Sequence, residues 1–274
     1  MRRREALAEE LRRSGAVSSP AIAAAFEAVP RHRFIPEIEL DEAYADRAIS
    51  IKSEGTNTLA SISQPSMLAK MLELADVQPG ARVLEIGTGS GYNAALLAHL
   101  AGPDGLVVTI EVEPDLAARA RTSLAACGYE SVRVVLGDGY TGFAEEAPYD
   151  RIVVSARASD IALTWWEQLR DGGHIVVPLD IGIAGEYAVG FVRHGGELRS
   201  IGIANCLFIA LRGALQTASP DNVFVRSADA RYGRRFRPIR SIRAVRTADA
   251  ASELLAGADV VVAQRQTTFA ITWE

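Results

Sequence analysis

Residues 81–93 read Ala-Arg-Val-Leu-Glu-Ile-Gly-Thr-Gly-Ser-Gly-Tyr-Asn, and this stretch decides the fold. The run from Val83 to Ile86 is short and mostly apolar, which is typical of a buried parallel strand. Glycines follow at alternate positions from Gly87 to Gly91, and the spacing from Tyr92 to Leu100 predicts a helix. Glycine lets the backbone turn tightly and approach a ligand, because it has no Cβ. The stretch therefore predicts a strand, a ligand-binding turn and a helix whose N-terminus suits a carboxylate or phosphate.

The spacing of these glycines narrows the choice of ligand. Dinucleotide-binding turns read G-x-G-x-x-G, whereas this turn reads G-x-G-x-G. The shorter pattern resembles the methionine-binding turn of S-adenosylmethionine enzymes. A nucleoside site also needs an acid after the next strand, and Glu111 ends the apolar run from Leu106 to Ile110. We therefore expect a nucleoside cofactor, and the resemblance of the turn implies S-adenosylmethionine, with S-adenosylhomocysteine as its product.

Strand-like and helical patterns alternate from residue 82 to residue 178. Alternation of this kind predicts an α/β fold with a doubly wound, mostly parallel, Rossmann-like sheet. The expected strands are 82–86, 106–111, 132–136, 151–155 and 174–177, and the expected helices are 92–101, 114–126 and 160–169.

The chain before this sheet predicts a helical N-terminal segment. Ser63 is placed to act as the N-cap of the last of its helices. The proline-bounded stretch 30–36 indicates an extended segment, and the polar stretch 52–59 indicates a mobile loop. The expected helices are 2–13, 20–29 and 65–74.

The chain after residue 178 changes character. Strands at 187–192 and 198–204 are expected to form a hairpin around Gly195-Gly196. From about Leu215 the pattern predicts a C-terminal α+β appendage. It contains a stretch with seven arginines and no acid at 231–246, a short helix at 250–255 and strands at 260–263 and 268–273.

Composition limits the classes of function. The chain has 274 residues, 49% of them hydrophobic, and a net charge of −5, so indiscriminate nucleic-acid binding is not expected. Two cysteines cannot form a disulfide framework. The sequence contains no apolar run of membrane length and no metal-ligand spacing, so we expect a cytoplasmic protein with no membrane partner and no metal. The stretch 231–246 is compatible with a solvated face, a nucleic-acid patch or a clamp for an acidic peptide.

Several short motifs occur together in this chain. In combination, and over about residues 20–213, they make the chain resemble the protein-L-isoaspartate O-methyltransferases, a family of class I S-adenosylmethionine-dependent methyltransferases. The motifs are Val29-Pro30-Arg31-His32 with Phe34 and Pro36, Ala43-Tyr44-Ala45-Asp46, Ile62-Ser63-Gln64-Pro65, the stretch from Val83 to Tyr92, and Gly137-Asp138-Gly139.

The resemblance implies an enzyme with a methyltransferase domain at 1–213 and the appendage at 214–274. Within that domain, about 1–78 would bind the acceptor and about 79–213 would form the cofactor-binding sheet. The donor would be S-adenosylmethionine, and the acceptor an isoaspartyl or aspartyl carboxylate of a protein or peptide. The product would be a methyl ester that can collapse to a succinimide.

Matching positions imply roles for individual residues. Ser63 matches the family's active-site serine beside the acceptor, although the residues alone favour a helix cap. Glu111 is the expected ribose contact and Asp138 the expected adenine contact. The expected cofactor-binding residues are Glu85, Gly87, Thr88, Gly89, Ser90, Glu111, Asp138 and Gly139. The expected acceptor-binding residues are Tyr44, Asp46, Ser61, Ile62 and Arg157.

Departures from the family pattern leave the acceptor open. Residues 208–211 read Phe-Ile-Ala-Leu where the family reads roughly Phe-Val-Pro-Leu, and the loop at 155–160 also differs. One hypothesis is methylation of isoaspartate in aged proteins. Another is methylation of a normal aspartate in one dedicated peptide, which leads to an aspartimide. A cofactor-binding module without turnover is a third, and a nucleic-acid methyltransferase is the weakest because no Asn-Pro-Pro-Tyr type motif is present.

Overall fold

The computed structural model describes residues 2–180, 186–213, 224–227, 239–246, 260–263 and 267–273. None of the helices in these ranges is long and apolar enough to cross a membrane. The helices are α1 Arg2–Arg13, α2 Pro20–Ala28, α3 Leu40–Ala43, α4 Pro65–Ala75, α5 Tyr92–Ala101, α6 Pro114–Ala126 and α7 Leu163–Gln168. The strands are β1 Ile49–Glu54, β2 Asn57–Ile62, β3 Arg82–Ile86, β4 Leu106–Glu111, β5 Arg133–Leu136, β6 Tyr149–Val154, β7 Leu169–Asp180, β8 Glu186–His194, β9 Glu197–Asn205, β10 Phe224–Ser227, β11 Ile239–Arg246, β12 Val260–Ala263 and β13 Thr267–Trp273.

The central sheet confirms the predicted α/β architecture. Its described strands run in the order β10-β12-β13-β11-β9-β8-β7-β6-β3-β4-β5. Strands β3 to β7 pair in parallel. The chain moves outward from β3 through β4 to β5 and then returns to β6 on the other side of β3, so the strand order reverses at β3. Ligands of open α/β sheets bind at the carboxyl ends of the strands beside such a reversal.

The C-terminal strands extend this sheet. Strands β8 and β9 form the expected antiparallel hairpin. Strand β11 pairs antiparallel with β9, and Glu197 of β9 accepts a charged hydrogen bond from Arg243 of β11. The strands expected at 260–263 and 268–273 are confirmed. The helix expected at 250–255 and the first half of the arginine-rich stretch lie outside the described residues, and the division at 213/214 stays a prediction.

Three local predictions were wrong. The stretch 52–59 lies in the β1–β2 hairpin, where antiparallel pairing and an ion pair of Lys52 order it. The segment 30–36 contains a 3-10 turn at Arg31–Phe34, in which the N–H of Arg33 donates to the carbonyl of Pro30 at 2.9 Å. Buried Arg31 also donates from Nε to the carbonyl of Ala43 at 2.8 Å. The helix expected at 160–169 is limited to α7, since strand β7 begins at residue 169.

The N-terminus of α4 is capped by Asp46, a residue that lies well before the helix in the sequence. Gln64, and not Ser63, occupies the N-cap position, and its side chain makes no capping hydrogen bond. Instead, Asp46 Oδ1 accepts the backbone N–H of Ser66 at 2.8 Å, and Asp46 Oδ2 accepts from Gln64 Nε2 at 3.1 Å. A carboxylate at this position also interacts favourably with the helix dipole. The prediction that Ser63 caps α4 was therefore wrong, and Asp46 caps this helix instead.

Replacing Asp46 tests this cap. Asp46→Ala should lower the free energy of unfolding by about 1 kcal/mol, since loss of a capping side chain costs about that much. Asp46→Asn retains an accepting oxygen and should cost less. Urea unfolding measures both, with Asp41→Ala as the control, because Asp41 is largely exposed and pairs with Arg3 on the surface. Equal effects of Asp46→Ala and Asp41→Ala would contradict the capping role.

Candidate active site

A cleft of about 890 Å³ opens at the carboxyl ends of β3, β4 and β6. Residues 58–64, from β2 to the start of α4, form one side and are named here the acceptor wall. Residues 205–212, which follow β9, form the other side and are named the C-terminal wall. The glycine turn after β3 forms the floor. The cleft therefore lies at the reversal of strand order, where the topology predicts a ligand.

The glycine turn is held by the end of β4. The N–H groups of Gly87 and Thr88 donate to the carbonyl of Ile110 at 2.9 and 3.1 Å. The N–H of Gly89 donates to Glu111 Oε2 at 2.8 Å. These donors are thereby occupied within the protein, unlike the free N–H groups that hold a phosphate. With two carboxylates also lining the cleft, this floor does not suit a pyrophosphate.

A buried carboxylate network lies beneath the turn. Glu85 is fully buried, and its Oε2 accepts from the hydroxyl of Thr109 at 2.6 Å. Its Oε1 accepts from Asn93 Nδ2 at 2.7 Å and from the Ser155 hydroxyl at 3.1 Å. The hydroxyl of Thr88 lies 2.7 Å from that of Thr109, which links the network to the turn. The network joins the ends of β3, β4 and β6 with the start of α5.

Burial dominates the titration of Glu85. It raises the pKa of this carboxyl to about 7, although the three hydrogen bonds favour the charged form. No salt bridge is formed by Glu85 in the described part of the chain. A buried carboxylate without a cation is unfavourable, so a positively charged ligand in the cleft would stabilise it.

The residues in this cleft fit S-adenosylmethionine. The donor carries ammonium and sulfonium groups at its methionine end, and Glu85 and Glu111 supply the opposite charge. Asn93 Oδ1 is a buried acceptor without a hydrogen-bond partner among the described residues, which suits an N–H donor. A Cβ on Gly139 would lie 2.4 Å from Ile86 Cγ2, so only glycine lets this segment approach β3 so closely. Glu85, Asn93 and Glu111 would hold the cofactor here.

The acceptor wall presents polar groups close to the turn. A Cβ on Gly89 would lie 3.8 Å from the carbonyl oxygen of Ser61, so the wall and the floor are in near contact. Ser61, Ile62 and Ser63 all line the cleft, and their contacts with an acceptor stay predictions. Ser63 is half-buried and makes no side-chain hydrogen bond to another described residue, because Asp46 caps the helix in its place. The Ser63 hydroxyl therefore remains able to bind an acceptor.

Four of the predicted site residues lie outside the cleft lining. Tyr44 binds His32 Nδ1 through its hydroxyl at 2.8 Å, and Asp46 caps α4. Asp138 accepts the N–H of Tyr140 at 2.9 Å. The Arg157 side chain pairs with Glu186. Their ligand contacts stay predictions. The other ten predicted residues line the cleft: Ser61, Ile62, Ser63, Glu85, Gly87, Thr88, Gly89, Ser90, Glu111 and Gly139.

Sequence reasoning did not assign the residues that surround Glu85. Thr109 is a polar residue inside the apolar strand 106–111, and such a residue indicates a buried hydrogen bond. Asn93 lies on the cleft side of α5 and Ser155 directly follows β6. Residues 208–211 of the C-terminal wall were noted as a departure from the family pattern, but no residue of this wall was assigned to the site. This wall is attached to the loop after β6, where the N–H of Arg157 donates to the carbonyl of Ile209 at 2.9 Å.

The cleft lacks an obvious general base. Among the described residues that line it, none is histidine or lysine. Burial raises the pKa of Cys206 to about 12, so this thiol stays protonated at neutral pH. Glu85 is enclosed by its own hydrogen bonds. The site is thus suited to an acceptor that is already ionised.

Comparison with known proteins agrees with this geometry. The chain matches the family described as Protein-L-isoaspartate(D-aspartate) O-methyltransferase (PCMT) over residues 2–216. It is 42% identical over 222 residues to the protein-L-isoaspartate O-methyltransferase of Methanopyrus kandleri, with 81% of this chain and 96% of the relative covered. It is also 42% identical over 212 residues to protein-L-isoaspartate O-methyltransferase 2 of Archaeoglobus fulgidus, with 77% and 93% covered.

A solved structure gives the same result. A protein-L-isoaspartate O-methyltransferase superposes with a TM-score of 0.72 at 27% identity, covering 99% of this chain and 88% of that chain. The family match spans most of the sequence, and it includes the glycine turn, both cleft walls and Ser63. The chain therefore belongs to the protein-L-isoaspartate O-methyltransferase family and is an S-adenosylmethionine-dependent methyltransferase.

Proposed function

We propose that this enzyme methylates the free α-carboxylate of isoaspartyl residues in proteins and peptides. The observation that carries the proposal is the Ser63 hydroxyl, which lines the cleft beside the glycine turn and has no structural partner among the described residues. The relatives named for this activity support the same acceptor. Ser61 and Ile62 extend the acceptor wall toward the floor of the cleft.

The acceptor needs orientation more than activation. A carboxylate is already ionised at neutral pH, so no residue has to remove a proton from it. This agrees with a cleft lining in which the described residues include no histidine or lysine. Bound S-adenosylmethionine supplies the electrophilic methyl group. Ser63 donates a hydrogen bond to one carboxylate oxygen and leaves the other free to attack, and such positioning can contribute roughly 7–11 kcal/mol in favourable cases.

A neutral donor suits this role better than a cation. An arginine on the acceptor carboxylate would hold its charge strongly and weaken it as a nucleophile. Arg212 is the one cationic side chain among the described residues of the cleft lining, and it is paired with Glu113. The methyl ester that forms is more electrophilic than the carboxylate. Attack by the next backbone nitrogen forms a C–N bond, releases methanol and gives a succinimide.

Paired peptides test the acceptor. Peptides of several unrelated sequences, each made with isoaspartate and with aspartate at one position, are incubated with the enzyme and S-adenosylmethionine. We expect methyl ester mainly on the isoaspartyl form in every sequence, as measured by mass spectrometry, and none without the donor. Methylation of only the aspartyl form, in one particular sequence, would contradict the proposal and support the peptide-tailoring alternative.

Removal of the Ser63 hydroxyl tests its role. Ser63→Ala should lower kcat/KM for the isoaspartyl peptide roughly tenfold, as expected for loss of one orienting hydrogen bond. The Kd of S-adenosylhomocysteine and the unfolding midpoint should stay unchanged, since Asp46 supplies the helix cap. Ser66→Ala is the matched control, because Ser66 lies on α4 outside the cleft lining. Equal activity of the two variants would refute the assignment.

The pH dependence of stability tests the charge of Glu85. Its pKa is raised from 4.5 to about 7 on folding, so its favourable contribution is complete below pH 4.5 and is lost as the pH rises through 7. Relative to Glu85→Gln, the ligand-free wild type should lose on the order of 3 kcal/mol of unfolding free energy across this window.

Urea unfolding at a series of pH values measures the difference. Glu130→Gln, an exposed replacement of the same kind, should keep the wild-type slope. Saturating S-adenosylmethionine should reduce the wild-type loss, because a cation in the cleft favours the ionised carboxylate. Parallel pH profiles for wild type and Glu85→Gln would show that Glu85 does not titrate in this range.

A further inference from the structure

Glu113 connects both walls of the cleft. It lies two residues after Glu111, at the N-cap position of α6, but its side chain does not cap that helix. Its Oε2 pairs with Lys52 Nζ at 2.5 Å, and its Oε1 pairs with Arg212. Lys52 also reaches Asp115 Oδ1 at 2.7 Å. One carboxylate therefore receives a cation from each side of the cleft.

The two cations belong to separate parts of the chain. Lys52 lies on β1 of the hairpin whose second strand continues into the acceptor wall. Among the described strands, this hairpin is a two-stranded sheet of its own and does not pair with the central sheet. Arg212 ends the C-terminal wall, which backbone hydrogen bonds to Arg157 hold at its middle. The ion pairs of Glu113 thus attach both walls to the strand end that carries Glu111.

The pairs are ionised and incompletely buried. The side chains of Lys52 and Glu113 are 25% and 26% exposed. The hydrogen bond from Lys52 is the main cause that lowers the pKa of Glu113, and Arg212 adds to it. Hydrogen bonds to Asp115 first, and to Glu113 second, raise the pKa of Lys52. Both partners stay charged at neutral pH, and such pairs weaken as salt screens them.

We infer that Glu113 is a positioning residue that closes the cleft at its Glu111 end by holding the hairpin and the C-terminal wall together. Glu113 does not touch the reacting groups and is absent from the cleft lining. Its pairs must separate before the walls can move apart, so they slow the exchange of donor and product. The inference depends on the donor alone and not on the proposed acceptor.

Release of the product tests the inference without any acceptor. The full-length enzyme is loaded with tritiated S-adenosylhomocysteine and chased with an excess of the unlabelled compound. Glu113→Gln should release the label about threefold to tenfold faster than wild type, as expected for the loss of two partly exposed ion pairs. Release from wild type should accelerate with added sodium chloride, and release from Glu113→Gln should respond much less.

Variants of the two cations separate closure from a general loss of structure. Arg212→Met should accelerate release in the wild-type background and have no further effect in Glu113→Gln, because the partner is already absent. Lys52→Arg should keep the slow, salt-sensitive release, whereas Lys52→Met should not. Arg133→Gln, which removes exposed pairs with Glu145 and Glu146, is the matched control and should behave as wild type.

The inference has clear contrary outcomes. Wild-type release rates in Glu113→Gln, or an unchanged salt response, would overturn it. Additive effects of Arg212→Met and Glu113→Gln would also overturn it, because they would mean that Arg212 acts through another group. Should Glu113→Gln fold poorly, the comparison of Lys52→Arg with Lys52→Met decides the point by itself. Failure of peptide methylation would bear on the acceptor proposal and leave these measurements valid.

Discussion

The attachment of the glycine turn to the end of β4 is the interaction on which the site depends. Two N–H groups of the turn share the Ile110 carbonyl, and a third donates to Glu111. This arrangement requires β3 and β4 to be adjacent and parallel, so that their carboxyl ends meet. It also occupies the donors that a phosphate would need. The same contacts that hold the turn therefore favour a cationic donor over a dinucleotide.

The distribution of charge in the cleft follows the chemistry of a carboxyl methyltransferase. Carboxylates lie where a cationic donor binds, and one of them, Glu85, is fully buried and surrounded by neutral hydrogen-bond donors. Neutral hydroxyls lie where an anionic acceptor would bind. An acceptor held by neutral donors keeps its nucleophilic character. Arg212, at the end of the C-terminal wall, is paired with Glu113. Its positive charge therefore does not compete with the neutral hydroxyls for the acceptor carboxylate.

Asp46 and Ser63 have separate roles at the start of α4: Asp46 caps the helix, and Ser63 lines the cleft. A serine two residues before a proline-initiated helix commonly has a structural use, and Ser63 would be expected to cap α4. Asp46 takes that role from 20 residues earlier in the chain. The Ser63 hydroxyl therefore lines the cleft and makes no side-chain hydrogen bond to another described residue. Asp46, predicted to contact the acceptor, thus caps the helix and leaves the Ser63 hydroxyl free of that role.

The sequence alone determined the strand–turn–helix unit, the parallel sheet and the cofactor, because these depend on local spacing and on motifs a few residues long. Only the tertiary structure decided the β1–β2 hairpin, the cap from Asp46, the partners of Glu85 and the bridge through Glu113. Lys52 and Arg212 lie 61 and 99 residues from Glu113 along the chain. No local pattern encodes such pairs, since they exist only after the sheet brings distant strand ends and loops to one edge.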